Sequence, residues 1–170
     1  AFGTTIQKKQ RSMGKEIPGI RKEKPIGNLE PMKLRSEIME KIIQTVNSLS
    51  DLLTLKAATE KQITEAEQQL GLHFAEEYKK YLAAFGAIMA DGVELTGIAR
   101  SEHRNVVSVT KKEWGLNTKI SHTIYVVEDP RIDGVIIWQD ADGRIYRSTP
   151  SSEAKQIADS LSDYLSAHIK

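Results

Sequence analysis

The stretch from Thr59 to Arg100 constrains the fold most strongly, because a start or stop signal stands at each of its joints. Thr59 and Gln62 form a capping-box pattern, which predicts the start of a helix. Gly71 supplies a left-handed stop for that helix. Between the two signals, apolar residues recur at helical spacing: Ile63, Ala66 and Leu70.

A second short helix is predicted over Ala75–Phe85, with Gly86 as its stop. Its apolar face comprises Tyr78, Leu82 and Phe85. Asp91 and Gly92 form a turn signal, and the residues from Val93 to Ile98 predict a strand. The stretch therefore predicts two helices, a loop and a strand.

This order of elements resembles the SUKH superfamily, which includes yeast cell-wall-synthesis regulators and many bacterial immunity proteins. The likeness is carried by the segments ITEAEQQLG at 63–71 and YKKYLAAFG at 78–86, and by the strand that ends at Gly97-Ile98. Members usually have a Leu-Pro pair soon after the first glycine, where this chain has Leu72–Ala75. The resemblance covers roughly residues 34–170. It implies an α+β fold in which a mainly antiparallel sheet packs with N-terminal and C-terminal helices.

Helices are predicted on both sides of this stretch. A long amphipathic helix begins at Leu34, with an apolar stripe of Leu34, Ile38, Ile42, Val46, Leu49 and Leu53. The segment Asn105–Gly115 fits either a strand, through its valines, or a helix capped by Asn105 and ended by Gly115; the resemblance favours the helix. A last helix is predicted from Thr149-Pro150, with a stripe of Ala154, Ile157, Ala158, Leu161, Leu165 and Ile169.

The clearest strand signals lie between residues 122 and 147. Strands are predicted over Thr123–Glu128, Val135–Gln139 and Ile145–Arg147, and a tight turn at 140–143 joins the last two. Since the strands do not alternate regularly with helices, the sheet should be mainly antiparallel.

Charge divides the chain into a basic arm and an acidic body. Residues 1–35 contain nine Lys or Arg and three Glu, a net charge of +6, whereas the remainder contains fifteen basic and twenty acidic residues, a net charge of −5. We interpret residues 1–33, rich in Gly, Pro and Lys, as a basic extended N-terminal arm, and residues 34–170 as the α+β domain. The arm is either a disordered or expression-derived leader or a tether to a larger assembly.

The residue types needed for most chemistry are missing or scattered. The chain has no cysteine, and its four histidines show no spacing typical of a metal site. The 140–143 turn lacks the ligand pattern of a calcium loop, and no phosphate-binding loop or nucleophile elbow is present. We therefore expect no enzymatic activity, no metal and no cofactor. Without a signal peptide or an apolar run long enough to span a membrane, the expected location is the cytoplasm.

The leading functional hypothesis is a protein-binding module, similar to SUKH immunity proteins that block a cognate toxin, often a nuclease. An acidic surface complements the basic cleft of such a toxin. The predicted partner-binding carboxylates lie near loops and turns: Asp91, Glu94, Glu102, Asp129, Asp133, Asp140 and Asp142. The alternative is a structural subunit tethered by its basic arm to a large assembly, such as a phage or secretion particle. Neither hypothesis involves a membrane or sequence-specific nucleic-acid binding, since the arm has only Phe2 as an aromatic residue.

Overall fold

The computed structural model describes residues 29–169, which form five helices and one seven-stranded sheet. In chain order the elements are α1 (Leu29–Asn47), β1 (Leu53–Thr54), α2 (Glu60–Leu70), α3 (Glu76–Phe85), β2 (Ile88–Ala90), β3 (Val93–Leu95), α4 (Val106–Leu116), β4 (Tyr125–Glu128), β5 (Ile136–Gln139), β6 (Ile145–Ser148), β7 (Lys155–Ala158) and α5 (Leu161–Ser166). Neighbouring strands pair antiparallel in the order β1 to β7, so the sheet is a continuous meander. This confirms the predicted α+β class and antiparallel sheet.

The two predicted helices at the centre of the chain form as their end signals indicate. Thr59 and Gln62 make both hydrogen bonds of a capping box at the start of α2, and Gly71 ends that helix in the left-handed conformation. Gly86 ends α3 with a φ of 69°. A side chain there would also collide with the carbonyl oxygen of Lys56, only 2.1 Å from an ideal Cβ position. Gly86 therefore fixes where the chain between β1 and α2 crosses the end of α3.

Helix α4 resolves the ambiguous segment in favour of the helix. The side chain of Asn105 accepts hydrogen bonds from the backbone of Val107 and Ser108 at 3.0 and 3.1 Å. Gly115 lies within the helix rather than at its end, which is capped by Asn117. The capping interaction outweighs the strand propensity of the valines, all three of which are buried in the helix.

The first helix is shifted relative to its predicted position. It begins at Leu29 and ends at Asn47, so Leu49 lies in a turn and Leu53 in β1. Leu34 and Ile38 are 58% and 39% exposed, whereas Ile42 and Val46 are fully buried. The N-terminal half of α1 extends beyond the elements that cover its C-terminal half. The prediction that Leu34 and Ile38 belong to a buried stripe is therefore wrong.

The predicted C-terminal helix is also wrong in part. Residues Lys155–Ala158 form β7, which pairs with β6, and only Leu161–Ser166 are helical. Ser160 separates the two elements, because its side chain accepts a hydrogen bond from the backbone of Asp163 and starts α5. The apolar spacing of this segment fits a helix, but pairing with the open edge of β6 prevails over it.

The sheet separates two buried clusters. Helices α1, α2, α3 and α5 pack against the larger cluster, whose centre contains Tyr78, Tyr81, Leu95 and Tyr125. Helix α4 contributes Val106 and Val107 to the larger cluster and Val109 to the smaller one, which surrounds Trp138. Trp138 is 1% exposed and donates a hydrogen bond from Nε1 to Ser148 Oγ at 2.8 Å.

Candidate functional site

The seven predicted partner-binding carboxylates do not form one surface. Because consecutive strands are antiparallel, the β2–β3 turn and the β4–β5 loop lie at one end of the sheet, and the β5–β6 turn lies at the other. The first end carries Asp91, Glu94, Asp129 and Asp133; the second carries Asp140 and Asp142. Glu102 is exposed on the segment between β3 and α4.

The first end gains a further carboxylate that the sequence did not indicate. The backbone N–H of Asp91 donates to the carbonyl oxygen of Ser50 at 2.9 Å, so the turn that follows α1 lies beside the β2–β3 turn. This contact brings the exposed Asp51 to the same end. We call Asp51, Asp91, Asp129 and Asp133, together with Ile132, the acidic sheet end.

The β4–β5 loop holds the acidic sheet end in an unusual backbone conformation. Arg131, Asp133 and Gly134 have φ values of 57°, 51° and 65°, and only the last is a glycine. Non-glycine residues rarely adopt this region, and such strain often marks functional loops. Between Arg131 and Asp133, the loop exposes 63% of Ile132 to solvent.

Local hydrogen bonds fix this loop before any partner arrives. The Asp129 carboxylate accepts from the Arg131 backbone N–H at 3.0 Å, and the Ile132 carbonyl accepts from the Val135 N–H at 2.9 Å. The Arg131 guanidinium contacts both Glu94 carboxylate oxygens at 3.3 Å. Glu94 also accepts from Arg104 Nε at 2.8 Å. Glu94 is therefore an internal brace for the loop rather than an available partner-binding charge.

A β-bulge in β4 buries one more carboxylate directly below this loop. Val126 lies opposite Trp138, but Glu128 lies opposite Ile137, so Val127 is an extra residue and Glu128 turns toward the helices. Glu128 is 3% exposed and accepts hydrogen bonds from the Glu94 backbone and the Tyr164 hydroxyl. Burial raises the pKa of Glu128 above its ordinary value, against the opposing effect of these hydrogen bonds.

This raised pKa predicts a specific pH dependence of stability for Glu128→Gln. A carboxyl whose folded pKa exceeds its unfolded value near 4.5 stabilises the fold most when protonated, and that contribution is lost as pH rises through the folded pKa. We expect Glu128→Gln to be at least as stable as the wild type at neutral pH. As pH falls toward 4.5 and Glu128 becomes protonated, the free energy of unfolding of the wild type should rise relative to that of the variant. Urea unfolding across pH measures both curves.

Tyr164→Phe provides the control for that pH series. The hydrogen bond from the Tyr164 hydroxyl lowers the pKa of Glu128, so its removal should move the pH-dependent window upward. Parallel pH profiles for the wild type and Glu128→Gln would contradict the assignment.

The two predicted partner-binding aspartates of the β5–β6 turn differ in exposure. The Asp140 side chain is only 16% exposed and accepts from the Arg144 backbone and the Tyr146 hydroxyl at 2.9 and 2.8 Å. Asp142 is 72% exposed and pairs with Arg144. Asp140 therefore holds the turn together, and only Asp142 is available at this end.

The described part of the chain offers no metal centre and no membrane-spanning helix. Within residues 29–169, no group of three or more His, Cys, Asp or Glu side chains could hold a metal ion. None of the helices in that range is both long and apolar enough to cross a membrane. The exposed loops at the two ends of the sheet are the features of this range where functional residues most often lie.

The chain belongs to the SUKH_5 family, described as SMI1-KNR4 cell-wall, whose model matches residues 39–170. Proteins of this family are protein-interaction modules and are generally non-catalytic. This confirms the resemblance that the two central helices indicate. No curated protein shows a significant match to the chain.

Proposed function

We propose that this chain is an immunity protein, which binds and neutralises a cognate bacterial toxin through the acidic sheet end. A nuclease is the toxin class that fits this surface, because an enzyme that binds a polyanion needs a basic cleft. The observation that carries the proposal is an exposed isoleucine on a braced loop, at the same end of the sheet as four aspartates. Membership of a family of interaction modules supports it.

The charge of the acidic sheet end favours a basic partner. Asp51, Asp91 and Asp133 are exposed and Asp129 is half-buried, while the two nearby arginines are both engaged by Glu94. Rim carboxylates of this kind steer a basic partner toward the surface and raise the association rate.

Ile132 supplies the apolar centre that such a rim needs. Interface energy concentrates in a few desolvated side chains surrounded by weaker polar contacts. A loop already held by Asp129, Glu94 and Val135 loses little conformational entropy on binding. The left-handed conformations of Arg131 and Asp133 then have a function, because they leave Ile132 exposed to a partner.

Substitution of Ile132 tests the proposal in cells and in vitro. A candidate toxin, sought among the proteins encoded next to this gene, is expressed with the wild type or with Ile132→Asp, and growth is measured. We expect the wild type to restore growth and the variant to fail. For Ile132→Ala, binding to the purified toxin should weaken by about thirtyfold or more, the value for a loss of at least about 2 kcal/mol.

Leu116→Ala is the matched control, since Leu116 is 68% exposed at the end of α4, outside the acidic sheet end. This variant should bind and protect like the wild type. Equal loss of binding in both variants, or full protection by Ile132→Asp, would contradict the proposed site.

A second candidate function rests on the N-terminal half of α1, whose apolar side chains are exposed. The helical stripe that buries Ile42 and Val46 continues onto Leu34 and Ile38, which are exposed. Such an uncovered stripe, adjoining the basic residues 1–28 that lie outside the described part of the chain, favours a subunit tethered to a large assembly. This function predicts co-sedimentation with particles and no protection from any toxin.

A further inference from the structure

A groove lined by apolar and basic residues runs along the free edge of the sheet at β1. Its charge is opposite to that of the acidic sheet end. Its main part has a volume of about 660 Å³, and a smaller part of about 300 Å³ adjoins it through the shared residues Leu55 and Arg104. The groove lies between the chain that follows β1 and the segment that follows β3. Leu53 and Leu55 are 61% and 39% exposed along it.

Within the described residues, the edge strand β1 leaves main-chain groups unpaired beside this groove. Leu55 donates its N–H to Ala87 at 2.9 Å, and Leu53 lies opposite Met89. Since antiparallel residues alternate in the direction of their hydrogen bonds, Thr54 directs its N–H and C=O away from β2. An open edge of this kind accepts a further strand.

The groove carries positive charge on a body whose net charge is negative. Lys56 and Arg100 are exposed, and neither forms an ion pair with any residue in the described range. Arg104 lines the groove as well, although its charge is shared with Glu94. A ligand that fits this groove therefore needs apolar side chains to cover the exposed leucines and negative charges to pair with Lys56 and Arg100.

We propose that this groove binds an extended acidic segment of a partner polypeptide, which adds to β1 as an edge strand. Its main chain pairs with Thr54, its carboxylates reach Lys56 and Arg100, and its apolar side chains cover Leu53 and Leu55. A polypeptide fits better than a nucleic acid because the open strand edge and the leucines require a main chain and apolar side chains. The residues that line this groove include none of the acidic sheet end, and its charge is opposite.

Peptide binding tests the proposal through fluorescence anisotropy with the full chain. The probe is a labelled peptide of alternating glutamate and leucine, compared with its lysine–leucine counterpart and with a version methylated on its backbone nitrogens. We expect only the unmethylated acidic peptide to bind. The double variant Lys56→Ala/Arg100→Ala should weaken its binding by roughly tenfold.

Thr54→Pro isolates the contribution of the strand edge. Proline removes an N–H that faces away from β2 and is tolerated on edge strands, so the fold should persist while peptide binding falls. The melting temperature is measured in parallel, and Lys155→Ala, an exposed cation on the opposite edge strand β7, serves as the charge control.

Several results would overturn this inference. They are equal binding by the methylated peptide, unchanged binding by Thr54→Pro or by the double variant, or absence of binding by the wild type. Tighter binding of a single-stranded oligonucleotide would identify a nucleic-acid site instead. Self-association that the double variant abolishes would identify a second copy of this chain as the occupant. Toxin binding should be unaffected by either groove variant, so failure here is separable from failure of the proposed function.

Discussion

Replacing Trp138 with alanine is expected to cost about 3–5 kcal/mol of unfolding free energy, enough to unfold a domain of ordinary stability. Trp138 is 1% exposed at the centre of the smaller buried cluster, beneath α4. Its removal leaves a cavity between β5 and the helix, and it leaves the Ser148 hydroxyl without its indole donor. Circular dichroism during urea unfolding measures the effect without relying on tryptophan fluorescence.

Ser148→Ala is the control for the Trp138 substitution. It removes the hydrogen bond but not the packing, and should cost about 1 kcal/mol. If Trp138→Ala cost no more than Ser148→Ala, the smaller cluster would not contribute as a packed core.

The second large effect is expected at Glu77, a buried carboxylate that joins α3 to the start of α5. Glu77 is 4% exposed and accepts from the backbone N–H groups of Leu161 and Ser162 at 2.7 and 3.0 Å, and also from the Ser162 hydroxyl. Glu77→Ala leaves these buried donors unpaired, each at a cost of about 1–3 kcal/mol. We expect a total loss of at least about 3 kcal/mol.

Two further variants separate hydrogen bonding from packing at this position. Glu77→Gln keeps the side-chain shape and one acceptor oxygen, so its loss should be intermediate. Ser162→Ala removes a single donor and should be the mildest of the three. Hydrogen exchange at Leu161 and Ser162 should accelerate in Glu77→Ala; unchanged exchange there would contradict the role assigned to Glu77.

Local signals predicted the parts of the fold that depend on local chemistry. The capping box at Thr59 and the left-handed glycine at Gly71 determine the ends of α2 without any distant partner. The same is true of Asn105, whose side chain caps α4. Sequence reasoning therefore located both ends of α2 and the start of α4, whereas the family resemblance was needed to choose a helix for α4 and its predicted end at Gly115 was wrong.

Elements that depend on distant partners were misplaced. The spacing of Ile157, Ala158 and Leu161 is helical, but the open edge of β6 draws Lys155–Ala158 into the sheet. Leu34 fits the buried stripe of α1, yet no element of the described chain extends far enough to cover it. Periodicity identifies an apolar face but does not show whether a partner is present.

The sequence indicated individual residues of the candidate site but not their arrangement. Carboxylates near turns can be read from the sequence, whereas only the strand order shows that Asp91 and Asp133 share one end of the sheet. Asp51 was missed because the predicted first helix ran through it. The bulge that buries Glu128, and the left-handed residues that expose Ile132, have no signature in the sequence.

The association rate between this chain and its proposed cognate toxin, measured across ionic strength, tests whether the acidic sheet end steers binding. From about 0.01 M to about 1 M salt the screening length falls from about 30 Å to about 3 Å, so the association rate should fall steeply while dissociation changes little. Joint replacement of Asp51, Asp91 and Asp133 by asparagine should flatten that salt dependence, whereas Glu37, Glu40 and Glu60 on the early helices, replaced by glutamine, should leave it intact. An association rate indifferent to salt, or equally salt-dependent in both triple variants, would contradict binding through the acidic sheet end.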